Sequence, residues 1–115
     1  MNKEFGYFQE KTYNTAMSMR TYSGVVIDGD QFVTEDVIED WAMDDGWDID
    51  HLEVYSVSTR TGAGETQEFE FTARPPGNFG RNMQEASLGA LSLAIERAHK
   101  NLGNKDARVE WNDMG

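Results

Sequence analysis

Residues 34–53, "TEDVIEDWAMDDGWDIDHLE", hold nine carboxylates, no lysine or arginine, and Trp41 and Trp47 set among the acids. On a helix, Glu35 with Glu39 and Asp36 with Asp40 stand one turn apart, about 6 Å along the axis at roughly 1.5 Å per residue. Such like-charge pairs cost a helix a few tenths of a kcal/mol each, and nothing basic within the segment relieves them. A row of anions at that interval is comparable with the phosphates of one nucleic-acid strand, which rise about 3.4 Å along the axis and follow a longer winding path. Glu35, Asp36, Glu39 and Asp40 are therefore candidate phosphate surrogates. Asp44, Asp45, Asp48 and Asp50 would extend the row around Gly46, with Trp47 as an anchor. The competing reading is a solvated acidic surface that keeps the chain dispersed, with both tryptophans in the core.

A second constellation is "RPPGNFGRN", residues 74–82. A rigid Pro-Pro step precedes Gly77 and Gly80, placed between Arg74 and Arg81 at the start of a helix. Glycines let backbone N–H groups approach a phosphate, the helix end adds partial positive charge, arginines grip bidentately, and Phe79 can stack on a base. The spacing matches no phosphate-loop or dinucleotide fingerprint, and an ordinary strand-to-helix loop accounts for the same residues. This stretch carries the alternative reading, a nucleotide or small-phosphate binder. Metal and catalytic chemistry find less. "DGDQF" does not continue as a calcium loop, because Phe32 takes its fifth position. His51 and Glu53 in "DIDHLE" supply two ligands of a divalent site, and a polar strand end explains them as well. His99, near the end of a helix, reads as a cation suited to the helix dipole. No nucleophile is paired with a base, so neither a catalytic residue, a metal nor a cofactor is assigned, and the chain reads as a non-enzyme.

The elements that position these residues follow from periodicity and turn chemistry. Arg20 to Ile27 is rich in β-branched and aromatic residues and precedes "DGD", so it reads as a strand. Thr34 reads as the N-cap of a helix in which Glu35 and Asp36 favour the N-terminus; Val37, Ile38, Trp41 and Ala42 share a face, and Gly46 stops it. "HLEVYSVST" is a second strand and "RTGAGE" a hairpin loop. In "TQEFEFTA", Phe69, Phe71 and Ala73 alternate with Glu68, Glu70 and Thr72, the pattern of an antiparallel strand with one wet face. From Asn82, with Asn82 and Glu85 as a capping pair, a long helix carries the stripe Leu88, Leu91, Ile95, Ala98 and Leu102 and stops at Gly103. "ARVEW" is a last short strand.

Strand, helix, strand, strand, helix, strand is the order of an α+β, ferredoxin-like (βαββαβ) two-layer sandwich, with two helices on one face of an antiparallel sheet. That plan takes residues 20–115 as one domain. Residues 1–19, with four aromatics, stand outside it as an extra strand or an arm. At 115 residues, 38% hydrophobic with thirteen aromatics, the chain can bury one core. Mean hydropathy is −0.66. There is no cysteine, no run long enough to span a membrane, and no apolar h-region in "MNKEFGYFQEK", so a cytoplasmic protein is expected.

Charge sharpens the reading. Of 21 acids, eleven lie between Asp28 and Glu53, leaving ten against the ten lysines and arginines elsewhere; the net charge of −11 thus belongs to one interval. Phosphate binding needs cations, so direct nucleic-acid binding is not expected there. The complement of such a block is a basic protein surface, above all that of a nucleic-acid-binding protein. The sequence therefore predicts a small acidic inhibitor or regulator that mimics nucleic acid, of a kind that suits a viral or mobile-element source and a host cytoplasm. A plain oligomeric domain, a homodimer through the open sheet face or the N-terminal arm, is the structural alternative.

Overall fold

The computed structural model describes residues 19–57 and 65–112. The expected N-terminal arm and the interior of the "RTGAGE" loop lie outside them. Within them the chain runs β1 (Arg20–Gly29), α1 (Gln31–Asp45), β2 (Asp48–Val57), β3 (Glu65–Arg74), α2 (Arg81–Asn101) and β4 (Arg108–Trp111). The four strands form one sheet in the order β2-β3-β1-β4, and every pairing is antiparallel. The fold is α+β.

The alternation of β3 does what its sequence predicts. Phe69, Phe71 and Ala73 are buried while Glu68, Glu70 and Thr72 are half-buried on the opposite face. Both helices pack on the first of these faces, where one cluster joins Tyr22, Val26, Phe69 and Phe71 with Ile38, Trp41, Leu91 and Ile95. The aromatic part is in contact throughout, with Tyr22 edge-on to Trp47 at 5.9 Å and Trp41 tilted over Trp47 at 5.0 Å. Gly24 is needed where β4 docks, since a Cβ there would lie 2.6 Å from the Glu110 carbonyl and 2.8 Å from the Phe69 ring. The short edge strand β4 is held to α2 by side chains. Trp111 Nε1 donates to Ser92 Oγ at 2.6 Å, and the Val109 N–H to Glu96 Oε2 at 3.0 Å.

Element ends correct four expectations. The N-cap of α1 is Asp30, not Thr34: its carboxylate accepts from the Phe32 and Val33 N–H groups at 2.9 and 3.0 Å. Thr34 lies inside the helix, fully buried, its hydroxyl donating back to the Asp30 carbonyl at 2.9 Å. An Asp with two free amides ahead of it is the stronger cap, and "DGDQF" thus ends a strand and opens a helix. Glu35 and Asp36 consequently fall beyond the first turn, outside the reach of the favourable dipole. Second, α2 starts at Arg81 with Gly80 at the N-cap and no side-chain cap, so Asn82 and Glu85 do not form the expected box. Third, β2 begins at Asp48 and takes in "DID". Fourth, the buried stripe of α2 is Ser87, Leu91, Ile95 and His99, whereas Leu102 is 61% exposed. The end signals hold where glycine is required, with φ of +84° at Gly46 and +101° at Gly103.

Candidate functional site

The eight acids singled out in the sequence do not form one continuous ladder. On α1, Asp36, Glu39, Asp40 and Asp44 are exposed and Glu35 and Asp45 half-buried. At 100° per residue Glu35, Asp36, Glu39, Asp40 and Asp44 fan around the solvent side of the helix, whereas Asp45 falls between Thr34 and Ile38 on the packed side. Gly46 then reverses the chain into β2, an edge strand. Asp48 and Asp50 therefore leave the helix row, and Asp48 pairs with Arg74 at 3.5 Å. Among the described residues, no α1 carboxylate forms an ion pair with a lysine or arginine; the pairs present are His51–Glu53, Arg74–Asp48 and Arg108–Glu110.

Trp47 is not a surface anchor. It is 5% exposed and its indole N–H donates to Ser87 Oγ at 2.9 Å. The αL turn at Gly46 carries it back under α1, where the Trp47 N–H reaches the Ala42 carbonyl at 2.9 Å. In its place the outward side of α1 shows two large apolar residues, Phe32 at 70% and Met43 at 80% exposure. With Asp36 and Glu39 between them they fall within about a 60° sector, eleven residues and roughly 16 Å apart at 1.5 Å per residue. With an N-cap at Thr34, Phe32 falls outside the helix, so the sequence alone does not bring it to this face.

Between the helices lies an open groove of about 360 Å3 lined by Val37, Asp40, Trp41, Asp44, Asp45, Ala90 and Ala94. Two alanines one turn apart leave the space, and three carboxylates edge it on the α1 side. Ser87, buried against two residues of that lining, donates to Asp45 Oδ2 at 2.6 Å and accepts from both indoles, Trp47 at 2.9 Å and Trp41 at 3.2 Å. Neither Ser87 nor the two alanines stood out in the sequence. Ser87 falls one turn before Leu91 on the apolar stripe, and a polar residue in that place is the signal that could have found it.

The remaining candidates scatter. Arg74 is turned to Asp48, Phe79 is half-buried, and Gly77, Gly80 and Arg81 are exposed at the approach to α2. His51 and Glu53 are neighbours at 3.6 Å, and among the described residues no third His, Asp or Glu joins them. His99 is not a surface cation; it is fully buried. The open sheet face is itself acidic. Glu53 stands opposite Glu70 in the ladder, and the Tyr55 hydroxyl donates to Glu68 Oε1 at 3.0 Å. That bond, with the charges of Glu68, Glu70 and Glu53, raises the Tyr55 phenol above its ordinary range. Like charges across a strand pair also work against a second copy stacking on this face.

The acids of α1 are poorly placed for stability. Asp44 and Asp45 lie in the last turn, at the negative end of the dipole, and that turn holds no basic residue. Asp44→Lys removes a repulsion with Asp40 and reverses an unfavourable dipole term, so it should stabilise the fold by about 0.5–1 kcal/mol at low salt. Urea denaturation at low and high ionic strength checks this: the gain should shrink with salt, and no gain at low salt would mean the acids cost the helix nothing.

No helix among the described residues is long and apolar enough to cross a membrane. No protein family matches the chain, and no characterised protein matches it in sequence. Among solved structures, a formyltetrahydrofolate deformylase from Pseudomonas putida KT2440 is similar at a TM-score of 0.44 and 17% identity, over 82% of this chain and 29% of that one. The chain thus spans less than a third of that enzyme's length, and at this score the likeness carries no function across.

Proposed function

We propose that this chain is a ferredoxin-like domain acting as a small acidic, non-enzymatic inhibitor or regulator, whose α1 face binds the basic surface of a nucleic-acid-binding protein in the manner of a nucleic-acid mimic. The observation that carries the reading is the outward row Asp36, Glu39, Asp40 and Asp44, unpaired with any lysine or arginine among the described residues and kept at a cost to the helix. A solubilising surface gains nothing from such segregation, because mixed charges disperse a protein equally well. Phe32 and Met43, exposed at the two ends of the row, supply the apolar contacts that a purely electrostatic face lacks. A viral or mobile-element source and action in a host cytoplasm fit this role.

The test is capture of a partner from lysate at low salt with elution by a salt gradient, comparing wild type with Glu35→Lys/Glu39→Lys. Wild type should retain a nucleic-acid-binding protein that elutes as salt rises and that added duplex DNA displaces. The double reversal should lose it. Retention by both forms alike would remove the mimic reading.

One observation favours a second reading, a nucleotide or small-phosphate site. The N-terminus of α2 has no side-chain cap at Gly80, and among the described residues nothing lies within 4 Å of where a Cβ would stand at Gly77 or Gly80, so backbone N–H groups remain for an anion. Under it, Arg81→Ala removes binding of a nucleoside triphosphate, and the α1 reversal does not.

A further inference from the structure

The groove between α1 and α2 differs in kind from the outward row. Its walls are apolar, Val37 and the edge of Trp41 on one helix and Ala90 and Ala94 on the other, and its acid rim, Asp40, Asp44 and Asp45, lies on one side alone. A groove with apolar walls and a one-sided anionic rim suits a side chain with an aliphatic stem and a cationic head. Asp40 and Asp44 stand one turn apart, about 6 Å along the axis, so a single head can reach both only if its donors point in several directions. A guanidinium meets that requirement with five donors in a planar fork, whereas an ammonium is a point charge. Asp45 is held in place from below by the Ser87 hydroxyl at 2.6 Å, which leaves its other oxygen for the occupant.

We propose that this groove docks an arginine side chain of the basic partner, its stem between Val37 and the two alanines and its guanidinium on Asp40, Asp44 and Asp45. The proposal rests on the basic-partner reading and adds which residue the partner inserts, and where. It also separates two tasks on α1. Glu35, Asp36 and Glu39 steer, while Asp40 and Asp44, members of the outward row that also line the groove, fix register with Asp45.

The experiment is a titration of the 15N-labelled full chain with acetyl-arginine-amide at low ionic strength, followed by amide and indole chemical shifts. Acetyl-citrulline-amide, equal in shape and uncharged, is the control. Arginine should shift the Trp41 indole N–H and the backbone amides of Asp44, Ala90 and Ala94 in a saturable way, and citrulline should not. Ala90→Leu/Ala94→Leu fills the groove without touching charge and should weaken binding about tenfold or more. Asp40→Asn/Asp44→Asn leaves the space open and should do the same, which covers the case in which the filled variant fails to fold. Shifts spread evenly along all the α1 carboxylates, full binding by the filled variant in its folded form, or equal shifts with citrulline would each overturn the proposal. Glu35→Lys/Glu39→Lys should leave the groove shifts in place. If that reversal abolishes partner capture while arginine misses the groove, the docking inference fails alone; if arginine fills the groove and capture survives reversal, the outward row fails alone.

Discussion

Ser87→Ala lowers the stability of the fold by about 2–4 kcal/mol, a large loss for deleting one oxygen. A serine hydroxyl has one proton to give and two lone pairs to offer, and here all three are used. It donates to Asp45 Oδ2 at 2.6 Å and accepts from Trp47 Nε1 at 2.9 Å and Trp41 Nε1 at 3.2 Å. Trp41 keeps a second acceptor, the Ser87 carbonyl at 2.9 Å. Trp47 has no such reserve. Removing the hydroxyl strands its N–H inside the core, at about 1–3 kcal/mol, and also deletes a short bond to a carboxylate, about 1.5–3 kcal/mol less a discount for the half-exposed Asp45. The measurement is the urea midpoint of Ser87→Ala against wild type, read by tryptophan fluorescence. Ser87→Thr, which restores the hydroxyl, should recover part of the loss. An unchanged midpoint in the alanine variant would show that the two indoles find other acceptors. The same substitution should loosen the groove, since Asp45 loses the bond that fixes it and Trp41 forms part of its wall.

The architecture was legible because its signals are local and redundant. β3 alternates, both helices end where glycine supplies a left-handed turn at Gly46 and Gly103, and each element is marked by several residues at once. Helix starts were less legible. Asp30, Thr34 and Asn82 all belong to the residue types that cap helices, and the choice among them is made by tertiary packing. Thr34 is taken into the core beside His99, which frees Asp30 to cap. Asn82 is displaced because the loop after Pro75 and Pro76 delivers Gly80 to the cap position. The acidic block is read directly from composition, but its division into an outward row, a groove rim and a strand end depends on Gly46 and on Ala90 and Ala94 across the interface. An i,i+4 count within one helix cannot see residues contributed by another. Trp47 shows the same limit, since only the turn geometry decides whether an aromatic after a helix points out or folds under it.

His99→Leu should cost about 2–4 kcal/mol and act at the far end of the molecule from Ser87, on the start of α1. His99 is fully buried among α2, the end of β1 and the first turn of α1. One ring nitrogen, Nδ1, lies 2.8 Å from the Ile95 carbonyl, which can only accept, so this nitrogen carries the proton. The other, Nε2, then has a free lone pair, and the Asp30 N–H donates to it at 2.9 Å. Leucine fills similar space and offers nothing to that N–H. The residue left unsatisfied is the N-cap of the acidic helix, and its neighbour Gly29 already depends on a side chain, because the strand is bulged there and Gln67 Nε2 reaches the Gly29 carbonyl at 3.0 Å. The loss should therefore appear twice, as a lower urea midpoint and as faster hydrogen exchange at Asp30, Phe32 and Val33, with the β2–β3 ladder affected only through global unfolding. His99→Gln, whose amide oxygen can accept from Asp30, should restore part of both. Uniform acceleration across the sheet with no local excess at α1 would mean that His99 serves as volume alone. A local excess would tie the presentation of Phe32 and the first carboxylates to a buried histidine on the other helix, making the proposed binding face a product of the core beneath it.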